Sequence, residues 1–282
     1  MKPAVIPAVG FGLMGHPLRS STDSDLVPRC LNLASILILP NTTVQFTEVI
    51  PANTTLAFPD NHPSCNRPAQ FIPVDICRVV AITTTSTATA SSRAFEPSIS
   101  RGEISIEAWL PFAWNGRFLA TGNGGLNGCI QYEDVSHGIS RGFATVGSNN
   151  GHNGTSGEPF YRNPAVVEDY VHRALHKSAV LGKLITATFY RQAHSRAYYI
   201  GCSGGGRQGL RESQQYPGDF DGIVVGAPAV AFANLTSWRG SFYVRGGDPQ
   251  SAGFLTRELW RLVTDDVLAQ CDGLDGYVDG IL

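Results

Sequence analysis

The chain of 282 residues is 43% hydrophobic and 16% charged, with a formal net charge of −2 at pH 7. This composition is ordinary for a soluble globular protein and leaves room for one large domain or two small ones. The near-neutral charge and the lack of any run of about 18 apolar residues give no reason to expect a nucleic acid or a membrane as partner.

The first 22 residues have the outline of a signal peptide, because Lys2 is followed by the apolar stretch Ala4–Gly15. One proline and three glycines interrupt that stretch, and no small-x-small cleavage site follows it. We therefore predict a leader of uncertain type over residues 1–22.

Residues 24–100 contain short apolar runs and proline-rich connections, which predict irregular to β structure. Within them, the tract Thr83–Ser92 is rich in β-branched threonine, which suits an edge strand or a loop better than a helix.

From residue 103 onward the pattern predicts strands alternating with helices. Asn163 and Pro164 supply an N-cap and a proline at the first position of the longest helix. Alternation of this kind is typical of β-α-β units in a parallel sheet. The expected strands are 103–110, 117–121, 142–150, 197–201 and 222–228, and the expected helices are 165–190 and 210–215.

After Pro228 the character of the sequence changes, and one amphipathic helix is predicted at roughly 255–270. We interpret residues 229–282 as the start of an inserted or second subdomain.

The stretch GCSGG at 201–205 lies between a predicted strand and a predicted helix. A serine between glycines in that context is typical of a nucleophile elbow, whose strained turn lifts the Ser203 hydroxyl above the carboxyl ends of the sheet. The N–H of Gly204, at the start of the helix, would then face a developing oxyanion. A plain glycine-rich turn is the alternative interpretation. Cys202 as nucleophile is disfavoured because Ser203 occupies the apex of the motif.

The second oxyanion donor is expected from GNGGLNG at 122–128, directly after a predicted strand. Glycines let backbone N–H groups approach a substrate oxygen, so Gly124 and Gly125 are the candidates. A simple turn is the alternative interpretation of this segment.

Six cysteines lie far apart, with no C-x-x-C pair of the zinc or thioredoxin type. Scattered thiols and disulfides both fit that spacing. Four N-x-[ST] sequons predict glycosylation and, with the even cysteine count, favour disulfides in a secreted protein. The sequons are at Asn41, Asn53, Asn153 and Asn234, and the cysteines assigned to disulfides are Cys30, Cys65, Cys77, Cys129, Cys202 and Cys271.

The segment CDGLDGYVDGIL at 271–282 brings Asp272, Asp275 and Asp279 together with glycines. Three carboxylates on one short turn repel each other unless a cation joins them, and oxygen ligands suit Ca²⁺. The spacing differs from that of an EF-hand, and a solvated acidic turn is the alternative interpretation.

The segment YYIGCSGGGRQGLRESQQYPGDFDGIVVGAPA closely resembles the tannase/feruloyl esterase family, especially its feruloyl esterase B-like branch. The likeness extends through WLPFAWNGRFLATGNGGLNGCIQY, GFATVGSNNGHNGTSG and the acidic C-terminal segment, over about residues 28–282. It implies an α/β-hydrolase core with a mostly parallel sheet over 23–228, incomplete here, and the beginning of an inserted lid domain over 229–282. Gly204 departs from the threonine frequent in the family, but only its backbone N–H is needed.

The resemblance also implies roles for single residues. Ser203 would be the acyl-ester nucleophile, without an organic cofactor, and Cys202 would be tied to a cysteine beside the catalytic histidine. Two further disulfides and one structural calcium site are implied. The disulfides are Cys30–Cys77 and Cys65–Cys129, and the calcium ligands are the side chains of Asp272, Asp275 and Asp279 with the carbonyls of Tyr277 and Ile281.

The triad partners of this fold follow the serine in the order Ser–Asp–His, yet the last histidine is His194 and no His-Cys dipeptide occurs. We therefore expect a fragment or truncated gene model, inactive or nearly so as this polypeptide. His152 is a weak alternative base, better explained as a cleft or structural residue. His172 and His176 could bind a metal, but paired surface or core histidines are more common. The aspartates after Ser203 and before the acidic segment are Asp219, Asp221, Asp248, Asp265 and Asp266.

The leading functional hypothesis is a secreted serine carboxylesterase acting on small or cell-wall-linked plant phenolic esters, with hydroxycinnamoyl-sugar esters ahead of gallate esters. The alternative is a catalytically dead, calcium-stabilised binding protein of the same fold. A lipase acting on bilayers is disfavoured because no long apolar lid helix is visible.

Overall fold

The computed structural model describes residues 23–89 and 98–281, so the predicted leader lies outside the described residues. The strands are β1 Thr42–Ile50, β2 Thr54–Ala57, β3 Ala69–Ile72, β4 Ile76–Thr89, β5 Ser98–Pro111, β6 Arg117–Thr121, β7 Ala144–Ser148, β8 Arg196–Cys202 and β9 Gly222–Gly226. The α-helices are α1 Asp23–Leu31, α2 Leu33–Ile36, α3 Tyr132–Ser140, α4 Pro164–Glu168, α5 Ala174–Tyr190, α6 Gly204–Gln215, α7 Phe232–Gly246 and α8 Arg257–Cys271. Shorter turns are 3₁₀-helical at Pro63–Cys65 and Glu158–Phe160 and π-helical at Asp169–Arg173.

The chain divides into two compact units on either side of the bond between Pro228 and Ala229. The first unit contains both β-sheets and helices α1–α6, and the second contains α7 and α8.

Seven strands form one mixed sheet in the order β1-β4-β5-β7-β6-β8-β9, while β2 and β3 form a separate hairpin. Neighbours from β1 to β7 pair antiparallel, and neighbours from β7 to β9 pair parallel. Helices α3, α5 and α6 connect the parallel strands, as crossover connections require. This arrangement confirms the predicted α/β-hydrolase class, although only half of the sheet is parallel. The carboxyl ends of β6, β7 and β8 therefore meet at one edge, where sites of such sheets lie.

The sheet separates two hydrophobic cores. Alternate residues of β5 face opposite ways, so that Leu110 joins one core and Trp109 the other. Leu181 and Ile185 of α5 cover the first face, and Gly182 lets the helix approach, because a Cβ there would lie 3.0 Å from the Phe118 ring. The helix predicted over 165–190 is present from 164 to 190, interrupted by the π-helical turn that joins α4 to α5.

The N-terminal third differs in part from the prediction. Its described part opens with α1 and α2, whose Leu26, Cys30 and Leu33 are fully buried, so the expectation of irregular to β structure from residue 24 is wrong there. The threonine tract continues β4 as far as Thr89, and beyond Thr83 its ladder partners belong to β5 alone. That part is an edge segment as predicted, and residues 90–92 lie outside the described residues.

Two disulfides join distant parts of the first unit, as the family resemblance implied. Cys30–Cys77 links α1 to β4, and Cys65–Cys129 links a 3₁₀ turn to the loop that follows β6. Each closes a long loop, which stabilises the fold mainly by restricting the unfolded chain. Cys202 and Cys271 carry free thiols, so the expectation that all six cysteines are bridged is not met within the described residues.

A buried ion pair crosses the first three strands of the sheet. Arg78 donates from Nε and Nη2 to both carboxylate oxygens of Glu107 at 2.8 Å, and from Nη1 to Glu48 at 2.8 Å. Glu107, which is 4% exposed, also accepts from Tyr132 and Trp109. Every oxygen of the buried carboxylate is thereby satisfied, the condition under which such a charge is tolerated.

The second unit consists of α7, α8 and the acidic loop that follows them. Helix α8 matches the helix predicted at 255–270, whereas α7 is not predicted from its sequence. The Thr256 hydroxyl caps α8 by accepting the Leu259 N–H at 3.4 Å. In residues 23–89 and 98–281, no helix has both the length and the apolar character needed to cross a membrane.

Replacing Arg78 with methionine will lower the free energy of unfolding by about 3–5 kcal/mol, because the buried Glu107 charge loses its partner. Urea denaturation measures the effect. The matched control is Arg196→Met, whose side chain is 64% exposed in its pair with Asp221 and whose loss costs less than about 1 kcal/mol. Equal costs for the two variants would contradict this account of the core.

Candidate active site

Ser203 lies at the sharp turn between β8 and α6. Its backbone has φ 56° and ψ −113°, a strained conformation that costs a non-glycine residue about 1–3 kcal/mol. Its N–H donates to the Gly226 carbonyl at the end of β9 (2.9 Å), and its carbonyl accepts the Arg207 N–H in the first turn of α6 (3.1 Å). The strained turn predicted around Ser203 is present, and the serine is exposed at the carboxyl end of β8.

Glycines on both sides of Ser203 allow α6 to lie very close to the ends of β8 and β9. A Cβ on Gly201 would be 2.7 Å from the Gly205 carbonyl oxygen, and a Cβ on Gly206 would be 2.8 Å from the Gly226 carbonyl oxygen. Both neighbours are backbone atoms, so no side-chain rotation could make room. The helix begins at Gly204, six residues before the predicted start at Leu210.

Of the three predicted oxyanion donors, Gly204 and Gly125 are neighbours in space. A Cβ on Gly204 would lie 2.9 Å from the Gly125 nitrogen and 2.8 Å from its carbonyl oxygen. The first N–H groups of a helix have no acceptor within the helix, which leaves that of Gly204 for a ligand. Gly125 is exposed and has φ 53°, while the carbonyl of Gly124 accepts the Asn127 N–H at 2.9 Å.

This contact gives the glycine at position 204 a steric role in addition to its backbone N–H. With the Gly125 backbone under 3 Å from any Cβ at position 204, a threonine there requires the glycine loop to move outward. Gly204 therefore sets how closely the loop approaches the serine.

Buried carboxamides hold the glycine loop in place. The Asn123 N–H donates to Gln208 Oε1 at 2.8 Å, and Gln208 Nε2 donates to the side-chain oxygens of Asn123 and Asn150 at 3.2 and 3.0 Å. Asn123 Nδ2 donates to the carbonyls of Cys129 and Ser148, both at 2.8 Å. The loops after β6 and β7 are thereby joined to helix α6.

Tyr170 reaches the same loop from the π-helical turn. Its hydroxyl donates to the Gly125 carbonyl at 2.9 Å, and the Arg207 guanidinium lies over its ring, 4.8 Å from the centroid. Burial raises the pKa of Tyr170, so the hydroxyl keeps its proton as a donor. Like Asn123 and Gln208, Tyr170 is missing from the sequence prediction. For Asn123 and Gln208 the sequence signal is a polar residue within or just after a glycine-rich stretch, whereas Tyr170 has no such signal.

His152 supports the glycine loop from the side. Its Nε2 bonds the Leu126 carbonyl at 2.7 Å, and its ring packs against Phe160 and Tyr170 with centroids 4.8 and 5.9 Å away. Burial lowers the pKa of His152, which favours the neutral ring. The structural interpretation made from the sequence fits this environment.

The aspartates after Ser203 form other contacts. Asp219 bonds His176 at 2.7 Å, and Asp221 accepts the Ala197 N–H at 2.8 Å. That hydrogen bond, with the nearby Arg196, lowers the pKa of Asp221. Within the described ranges no hydrogen bond or ion pair joins a histidine to Ser203. The aspartates in the second unit before the acidic loop are Asp248, Asp265 and Asp266.

The backbone of the acidic loop curls around its own carboxylates. Asp272 accepts the N–H groups of Asp279 and Gly280 at 3.2 and 2.9 Å, and Asp275 accepts that of Tyr277 at 2.9 Å. Gly276 and Gly280 have φ 95° and 79°, conformations that favour glycine. The three aspartates do not bring their ligand atoms within 4.8 Å of one another, a spacing that His176, Glu212 and Asp219 alone reach among the described residues.

Known proteins resemble this chain over most of its length. The sequence profile of the family described as "Tannase and feruloyl esterase" matches residues 86–282. A probable feruloyl esterase B of Aspergillus clavatus is 48% identical over 254 residues, which cover 90% of this chain and 46% of that protein. The chain thus spans about half the length of such relatives.

Two solved structures from Aspergillus oryzae are also similar. The first, an esterase, has 47% sequence identity and a TM-score of 0.80. The match covers 91% of this chain and 48% of the esterase chain. The other, titled feruloyl esterase B, has 41% identity and a TM-score of 0.79 with the same coverage.

Replacing Gln208 with alanine will lower the free energy of unfolding by at least about 2 kcal/mol, because the Asn123 N–H and two amide oxygens are left buried without partners. Chemical denaturation measures this loss. Gln214→Ala, on the exposed face of the same helix, is the control and changes stability by less than about 0.5 kcal/mol. A Q208A chain as stable as Q214A would show that the amides do not hold the loop.

Proposed function

Because the chain belongs to the tannase and feruloyl esterase family, we propose that it supplies the nucleophile, Ser203, of a carboxylic ester hydrolase. The observation that carries the proposal is the strained turn at Ser203, with the backbone of Gly125 against Gly204. Such a turn costs free energy and persists only where the surrounding structure enforces it.

The proposed reaction is acyl transfer to serine. The Ser203 oxygen attacks the ester carbonyl carbon, and the carbonyl oxygen gains negative charge as the tetrahedral intermediate forms. The N–H groups of Gly204 and Gly125 would donate to that oxygen. In enzymes with such donors, loss of one lowers turnover by about 10²–10³-fold. Collapse of the intermediate expels the alcohol and leaves an acyl-serine, which water then hydrolyses.

The serine proton needs a base, since a neutral hydroxyl is a weak nucleophile. No histidine of this sequence follows Ser203, and His152 has one ring nitrogen on the Leu126 carbonyl. The proposal therefore assigns only the nucleophile and the oxyanion donors to the described residues.

The proposed substrates are plant phenolic esters. Relatives at 46–49% identity carry the name feruloyl esterase B, which favours hydroxycinnamoyl esters such as ferulates. The family description also includes tannase, so gallate esters are the second class.

Secretion and glycosylation form part of the same proposal. The two disulfides are typical of proteins made in an oxidising compartment. The four sequon asparagines, at 41, 53, 153 and 234, are all exposed, as acceptors must be.

A structural calcium ion is proposed for the acidic loop. Carboxylates of Asp272, Asp275 and Asp279 and carbonyls of Tyr277 and Ile281 form an all-oxygen donor set, which suits Ca²⁺. Each of the three aspartates accepts backbone N–H groups of the loop through its Oδ1 atom. These hydrogen bonds already curl the backbone around the carboxylates. When bound, the ion would offset two of the three negative charges and draw the carboxylates closer together.

Hydrolysis of methyl ferulate by the purified chain, with free imidazole offered as the base, tests the role of Ser203. We expect a rate of methyl ferulate hydrolysis that increases with the imidazole concentration. This rate will exceed the rate given by the same imidazole concentration without protein. Ser203→Ala will reduce it to the buffer rate, since the nucleophile is lost. Ferulate release is followed by chromatography.

The matched control is Ser213→Ala, an exposed serine on the same helix, which leaves the rate unchanged. If S203A keeps the imidazole-dependent turnover, Ser203 is not the nucleophile. If no chain exceeds the buffer rate, the proposal of an ester hydrolase fails for this polypeptide.

Calorimetric titration with Ca²⁺ tests the acidic loop. We expect saturable binding that Asp275→Ala weakens at least about tenfold, because one of three carboxylates is removed. Asp248→Ala, an exposed aspartate outside the loop, is the control and retains binding. Identical heats for D275A and the unaltered chain would exclude this loop as the site.

A further inference from the structure

A second polar cluster lies near the end of α6 that is remote from Ser203. His176 of α5, Glu212 of α6 and Asp219 of the turn before β9 bring three ligand atoms within 4.8 Å of one another. His176 Nδ1 is 2.7 Å from Asp219 Oδ2 and 3.9 Å from Glu212 Oε1. The residues come from three separate elements of the first unit.

Glu212 is the unusual member of this cluster. Its residue is 1% exposed, and Oε1 has no hydrogen-bond partner in the structure. A buried carboxylate oxygen without a donor is costly and rare. Asp219 cannot supply the donor when both groups are ionised, because ionised carboxylates only accept. Either a proton or a cation must therefore occupy the space between them.

We propose that His176, Glu212 and Asp219 bind a divalent transition-metal ion, with Zn²⁺ as the ion that their donor set fits best. One imidazole nitrogen and two carboxylate oxygens are ligands that Zn²⁺ takes in proteins. Ca²⁺ and Mg²⁺ fit less well, since they take oxygen ligands. Two carboxylate charges would balance the charge of the ion, which removes the cost of burying Glu212.

The geometry requires small movements. Zn²⁺ ligands lie about 2.0–2.2 Å from the ion, so that tetrahedral neighbours are about 3.3–3.6 Å apart. From their contact at 2.7 Å, His176 and Asp219 would separate by about 0.6–0.9 Å, and from 3.9 Å, His176 and Glu212 would approach by about 0.3–0.6 Å. The side chains of His176 and Asp219 are 29% and 16% exposed, which gives an ion a path from solvent and a position for a water ligand.

The imidazole of His176 is already held in orientation. The Tyr216 ring stacks on it with centroids 3.8 Å apart and planes 11° apart, and the Tyr216 hydroxyl bonds His172 Nδ1 at 3.0 Å. Stacking of this kind restricts rotation of the His176 ring before an ion arrives. His172, the sequence partner of His176 in the i, i+4 pair, is thus a neighbour of the site and not one of its ligands.

An ion at this position would be structural. It would tie α5 to the last turns of α6 and to the turn that leads into β9. The far end of β9 provides the Gly226 carbonyl that holds the Ser203 N–H. The ion would therefore brace the helix whose first residue follows the candidate nucleophile.

Zinc titration of the metal-free chain tests the proposal, in the Asp275→Ala background so that the acidic loop contributes less. We expect one Zn²⁺ per chain and a rise in Tm of at least about 3 °C at saturation. His176→Gln and Glu212→Gln will each weaken binding at least about tenfold, as each removes one ligand. Co²⁺ will give visible absorption bands in the parent chain that H176Q loses.

The control is His137→Gln, an exposed histidine of α3, which keeps both the affinity and the Co²⁺ bands. Because His176 is partly exposed, we expect H176Q to fold. H176Q therefore still tests the site if E212Q does not fold. Absence of saturable Zn²⁺ binding would mean that a shared proton alone occupies the cluster. Binding that survives in H176Q, or that H137Q removes equally, would place the ion elsewhere and overturn the proposal.

Discussion

The side-chain amide of Gln208 is the contact on which the arrangement around Ser203 depends. It lies on α6, and it meets Asn123 from the loop after β6 and Asn150 from the loop after β7. A carboxamide can accept and donate at once, so one side chain satisfies groups from both loops. In a buried setting each of these bonds is strong and each loss is costly. The glycine loop is therefore positioned by polar contacts from the same helix that begins at the serine.

The strain at Ser203 is maintained by this framework. Asn150, which bonds Gln208, also has a positive φ of 56° and follows β7 at the same carboxyl edge of the parallel strands. Strain of this size persists only when neighbouring contacts outweigh it. Here the contacts are the Gly226 carbonyl on the Ser203 N–H and the buried amides beneath the loop. Rigidity of this edge is what electrostatic stabilisation of an oxyanion requires, because donors must be in place before charge develops.

Much of this organisation follows from local sequence rules. The strand at 117–121 is predicted to the residue, because a short apolar run ends at a glycine-rich loop. Ser203 is identified because the motif lies between a strand and a helix. The start of α6 is missed, since three consecutive glycines oppose helix formation by propensity and are present only because the helix must touch backbone. Tyr170 is missed because nothing in the sequence marks the π-helical turn that presents it. The pairing of His176 with Asp219 across 43 residues depends on tertiary structure alone.

The close approach of α6 to the sheet also accounts for the buried glutamate at its other end. Gly205, Gly209 and Glu212 follow one another at helical spacing along the face of α6 that meets β8. A Cβ on Gly209 would lie 2.6 Å from the Tyr199 ring, so only glycine fits there. A glutamate on the same stripe is buried, and its charge is tolerated there only with a compensating partner beside it. The glycines that bring the serine end of the helix onto the sheet thus force a carboxylate into the interior at the other end, next to His176 and Asp219.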